Sequence, residues 1–177
     1  MRRYLFFRVI WYLVNGFLLL SLLMVFRGLI WEYSTKCYLQ GFADAIVPRS
    51  ASPEHKVEAI LAWMKNATNQ PRVVPQVPLV ERDPPNILEY QGFLEDCGNA
   101  TNAFINLTAS AGLKIRRLLL LNENKEVKHV VAEVQLGNCW VVVDPFFHIL
   151  FRDREGRPLT KEDLRDPEML WKATQRL

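Results

Sequence analysis

Cys97, His129 and Asp144 follow one another along the chain, and each stands where cysteine-nucleophile chemistry would use it. A thiol attacks as the thiolate and needs a base. The base in turn needs an acceptor that fixes its tautomer and orientation. Cys97 lies in Glu95-Asp96-Cys97-Gly98-Asn99-Ala100, a sequence that opens a helix. Free N–H groups and the positive dipole end at a helix start favour a thiolate, and the N–H of Cys97 itself could donate to an oxyanion. His129 falls inside a strand, Lys128-His129-Val130-Val131-Ala132-Glu133-Val134, and Asp144 ends the next, Trp140-Val141-Val142-Val143-Asp144-Pro145.

Each residue has a bland reading when taken alone. A helix cysteine is commonly inert, a strand histidine is commonly a satisfied core or surface group, and Asp-Pro commonly ends a strand. The joint pattern is what carries information, because residues on neighbouring strands of a hairpin sit side by side and can hydrogen-bond. Gln91, six residues before Cys97, is a candidate oxyanion donor, and Tyr90 and Trp140 are further candidates for donors or groove walls. His148 competes for the base role but lacks the strand context of His129. No CxxC or HxxxH spacing supports a metal site, and no cofactor motif is present.

The elements that must position these groups can be read around them. Ser52-Pro53-Glu54 is an N-cap, proline-first, acidic-first-turn signal, and Val57, Ile60, Leu61 and Met64 follow at helical spacing, so a helix is expected over 53–66. Five prolines in 67–95 make that segment an extended loop. A second helix runs from Cys97 to about Ala111 and stops at Gly112, with Ala100, Phe104, Leu107 and Ala111 inward. Strands are expected over 114–121, 126–136 and 138–143, the last two joined by a tight turn at Gly137-Asn138. Within the middle strand Val127, His129, Val131 and Glu133 share one face, and Val130, Ala132 and Val134 the other. Thr160-Lys161-Glu162-Asp163 signals a short C-terminal helix, or two broken at Pro167.

Residues 92–146 resemble the transglutaminase-like core of the papain-like cysteine enzymes. The resemblance rests on Asp96-Cys97-Gly98 before an amphipathic helix and on Ala111-Gly112-Leu113-Lys114-Ile115-Arg116 leading into the first strand. It also rests on His129-Val130-Val131-Ala132-Glu133-Val134 and Trp140-Val141-Val142-Val143-Asp144-Pro145. The helix at 53–66 is similar to the one preceding that family's catalytic helix. The resemblance implies an α+β fold with the catalytic helix packed on an antiparallel sheet. It assigns Cys97 as nucleophile, His129 as general base and acid, and Asp144 as orienting carboxylate. Val131 stands where family members often carry tryptophan. The implied activity is attack on a peptide or carboxamide carbonyl through a thioester, resolved by water or an amine. A protein or peptide substrate follows, with no cofactor. The rival expectation is a non-catalytic module of the same fold serving envelope or polysaccharide machinery.

Residues 9–26 contain no charge, and the apolar character extends to about Trp31 if Arg8 and Arg27 snorkel. About 20 apolar residues cross a bilayer core, so a single transmembrane anchor over 1–31 is expected, with a stalk at 32–51 and the domain at 52–177. No small-x-small cleavage site follows the run. Arg2, Arg3 and Arg8 precede it and Arg27 and Lys36 follow, which leans toward an N-terminus in the cytoplasm. Residues 1–44 hold five of the 22 Lys/Arg and two of the 19 Asp/Glu, so the net +3 belongs to the anchor and the domain is balanced. That balance, with no basic-aromatic stripe, argues against nucleic acid. Of the three cysteines, Cys37 and Cys139 are the pair an oxidising compartment could join. Cys139, beside Trp140 in a core strand, reads instead as a small buried hydrophobe. The sequons at Asn66, Asn99 and Asn106 read as chance matches, two of them on the Cys97 helix. Together these point to a bacterial inner membrane with the domain in the periplasm.

Overall fold

The computed structural model describes residues 2–68 and 96–174. The chain divides into two compact units, Met1–Cys37 and Tyr38–Leu177. The first belongs to helix α1 (Arg2–Ile46), whose apolar side chains from Val9 to Trp31 are exposed. It is one helix long and apolar enough to cross a membrane. Its one mid-span amide is satisfied internally, Asn15 Nδ2 donating to the Trp11 carbonyl at 2.7 Å.

The second unit is α+β, with an antiparallel sheet whose layers explain its sequence. Helices α2 (Pro53–Thr68) and α3 (Cys97–Ser110) precede strands β1 (Ile115–Leu121), β2 (Val127–Leu136), β3 (Cys139–Asp144) and β4 (Ile149–Leu150), in sheet order β1-β2-β3-β4. A 3-10 turn (Asp163–Arg165) and α4 (Pro167–Thr174) follow. Val57, Ile60 and Met64 of α2 and Ala103, Phe104 and Leu107 of α3 pack with Ala132, Val134 and Val143 on one sheet face. Val131 and Val142 face the other way, against Phe151, Leu159 and Ala173. Central strands covered on both faces must be apolar on both, which is why 130–134 and 141–143 read as continuous runs. Lys56 Nζ reaches the Ala111 carbonyl at 2.9 Å and Arg152 bonds Glu58 at 2.6 Å, so α2 is held to the end of α3 and to the C-terminal segment.

Several expectations change. The segment expected as a stalk is helical to Ile46, and Leu39, Ala43 and Val47 are buried because this stretch covers the α2–α3 layer. Cys139 is exposed and free, as is Cys37, because Cys139 flanks the solvent-facing turn of the β2–β3 hairpin. A fourth strand replaces part of the apolar stretch after Pro145. The C-terminal helical signal does divide in two at Pro167, as a 3-10 turn over Asp163–Arg165 and α4 opened by Pro167, where its missing N–H costs nothing. The register of β1 and β2 slips, Leu120 pairing with His129 but Leu121 with Val127. The extra residue, Lys128, removes Val127 from the row shared by His129, Val131 and Glu133.

Candidate functional site

Cys97 is the first residue of α3, half-buried, with Asp96 as the cap. Asp96 Oδ1 accepts from Asn99 N at 2.8 Å and Oδ2 from Asn99 Nδ2 at 2.9 Å, while its carbonyl takes Ala100 N at 3.1 Å. The N–H groups of Cys97 and Gly98 are the two first-turn donors that this cap does not use. A Cβ at Gly98 would meet Asp96 Oδ1 at 3.0 Å, so a larger residue there would push the capping carboxylate by a few tenths of an ångström.

Four residues on, and therefore on the same face one turn later, Thr101 is fully buried and donates from Oγ1 to the Val130 carbonyl at 2.9 Å. That bond ties the turn beginning at Cys97 to the residue beside His129. It also shows that α3 starts at the end of β2 that carries the histidine.

His129 and Asp144 are in direct contact, with Nε2 to Oδ2 at 2.6 Å. The tight β2–β3 turn accounts for this. With Ala132 opposite Val143, Asp144 lies one pair further on and diagonal to His129 on the same face. The other carboxylate oxygen, Oδ1, accepts from Phe146 N at 3.0 Å and Phe147 N at 3.2 Å. The same loop walls the imidazole, whose centroid lies 6.3 Å from the Phe146 ring and 5.8 Å from the Phe147 ring. Phe146 packs in turn against the α2–α3 core. One turn, Asp144-Pro145-Phe146-Phe147, thus supplies the acceptor, the donors that hold it and the hydrophobic walls. Sequence reasoning had the Asp-Pro turn but not the roles of the two phenylalanines. The missed signal was a pair of aromatic residues directly after the turn.

With Nε2 donating to an acceptor carboxylate, Nδ1 is the nitrogen left to exchange a proton with a thiol. The arrangement can orient a base firmly at the end of β2 to which Thr101 ties the first turn of α3.

The remaining candidates fall elsewhere. Gln91 and Tyr90 lie outside the described residues. Trp140 pairs with Gln135 near the hairpin turn, four residues or about 13 Å of strand from Asp144, and so is not a wall of this site. The Arg116 guanidinium covers its ring at 4.2 Å, and Arg116 Nε bonds Glu133 Oε2 at 2.8 Å. His148 adopts a left-handed backbone, φ 59°. Burial holds its imidazole below the ordinary histidine range, Lys65 adds to that, and Asp144 opposes it. The bond from Asp144 goes to His129.

No family model matches the sequence, and no curated protein or solved structure matches the chain.

Proposed function

We propose that the chain is a membrane-anchored, transglutaminase-like cysteine enzyme of the papain-like group, with its domain in the bacterial periplasm. Cys97 is the nucleophile, His129 the base and acid, and Asp144 the orienting carboxylate. The observation that carries the reading is the 2.6 Å bond between His129 and Asp144, on a strand tied through Thr101 to the helix that Cys97 opens.

In this reading Nδ1 of His129 takes the thiol proton, and the sulfur adds to the carbonyl carbon of a peptide or carboxamide. The N–H groups of Cys97 and Gly98 receive the oxyanion. Collapse breaks the C–N bond, His129 returns the proton to the departing amine, and a thioester remains. Water releases an acid from it, and an amine releases a new amide. Hydrolysis is the favoured outcome, as a peptidase or amidase.

The test uses the three thiols of the chain against one another. Cys139 is exposed and Cys97 only half-exposed, so access alone makes Cys139 the faster target. Iodoacetamide labelling of the full chain near pH 7, resolved by peptide mass spectrometry, should instead favour Cys97 by about tenfold or more, and His129→Ala should remove the preference. Labelling of Cys97 no faster than Cys139 overturns the enzyme reading and leaves a non-catalytic module of the same fold.

A further inference from the structure

We infer that a cleft on the Val131/Val142 face of the sheet, opposite the α2–α3 layer and reaching Asp144, is the binding site for the apolar chain of a bilayer-borne anionic amphiphile. The cleft measures about 490 Å³, within the roughly 300–1,000 Å³ of small-molecule sites. Its walls are the leucines at 118–121 on β1, Val131 and Val142 of the central strands, and Leu164 and Leu170 of the C-terminal segment.

Three polar side chains line it, Asp144, Lys161 and Arg165. Asp144 is already committed to His129 and two backbone N–H groups. That leaves two cations in a cleft otherwise lined by aliphatic side chains and Phe151, with Lys161 3.8 Å from an exposed Glu162 carboxylate. An alkyl chain fits walls that carry no neutral hydrogen-bonding side chain, and an anionic head complements the cations. Leu119, Leu120 and Leu121 are 48%, 43% and 53% exposed. Such a contiguous apolar patch marks an interaction surface on a soluble domain. The occupant is taken from the bilayer because the same chain carries a helix long and apolar enough to enter one.

The cleft lies on the sheet face opposite α3, so its occupant need not be what Cys97 acts on. Binding itself does not require turnover, so the two ideas fail separately.

The experiment uses the full chain carrying Cys97→Ser in lipid nanodiscs, with a diazirine-bearing dodecyl phosphate as photoprobe and adducts mapped by mass spectrometry. Adducts are expected within 118–121 and 161–170. They should fall at least fivefold in Lys161→Glu/Arg165→Glu, and a trimethylammonium probe of equal chain length should label these segments at least fivefold less. Adducts confined to residues 9–31 overturn the inference. Cleft labelling indifferent to charge reversal or to the sign of the head overturns it equally. An inert Cys97 thiol in the wild-type chain would leave this result untouched.

Discussion

His129 donates from Nε2 to Asp144 Oδ2 across 2.6 Å, while the opposite oxygen of the same carboxylate holds the N–H groups of Phe146 and Phe147. Asp144 is 4% exposed, so the imidazole is oriented by an acceptor that is itself fixed from behind. Asp144→Asn keeps the shape but permits the wrong tautomer. Its expected effect is a loss of about 10²–10⁴-fold in any Cys97-dependent turnover with the fold intact. Asp144→Ala should also cost about 1–2 kcal/mol, because the N–H groups of Phe146 and Phe147 and the His129 imidazole lose their acceptor. Chemical denaturation beside an activity assay separates the two variants.

Thr101 gives a second test, since it touches neither the thiol nor the imidazole. Thr101→Val strands the buried Val130 carbonyl and should cost about 1–2 kcal/mol. If this bond sets the helix start against β2, Cys97 labelling slows in the valine variant and recovers in Thr101→Ser. Equal labelling in all three chains would make Thr101 purely a packing residue.

Arg116 and Glu133 form a pair in which Glu133 is 2% exposed and its Oε1 has no hydrogen-bond partner among the described residues. Removing the arginine leaves a buried carboxylate alone. Arg116→Leu should therefore destabilise by about 2–3 kcal/mol, and Arg116→Leu/Glu133→Leu by much less. A double-mutant cycle measured by urea unfolding reads the coupling directly.

The pH dependence of stability has a sign set by His148. Its folded imidazole binds a proton less readily than the unfolded one, owing first to burial and then to Lys65, against the opposing Asp144. The contribution is present above the unfolded value of about 6.5 and is lost as pH falls from there toward the folded value. His148→Asn keeps a residue that tolerates the left-handed backbone. The fall in Tm between pH 7.5 and 5.5 should be smaller in that variant than in the parent chain. An unchanged difference would remove His148 from the acid response.

The orientation proposed for the anchor predicts that a reporter fused after Leu177 works only when exported. A periplasm-dependent phosphatase should be active there, and a cytoplasm-dependent one silent. The reverse pattern places the domain in the cytoplasm.

Much of the positioning was legible because it depends on neighbours a few residues away. Ser52-Pro53 and Asp96 announce α2 and α3 through capping, Gly112 ends α3 at φ 85°, and residues 9–26 contain a continuous uncharged run. The adjacency of His129 and Asp144 also follows locally. A tight turn at Gly137-Asn138 fixes the register of the two strands it joins, and with it which residues face each other.

What the amino-acid order alone determined is therefore the apolar helix, the helix starts, the hairpin and the residue types of the candidate site. The tertiary structure decided how the faces are covered. It buried Leu39 and Ala43 in what reads as a stalk, and drew Thr101 to the Val130 carbonyl. It carried Trp140 to Arg116 and away from the dyad, and opened a cleft beneath β1. Periodicity reports that a face is apolar, but the partner that covers it comes from a distant part of the chain. Only packing across those distances can choose it.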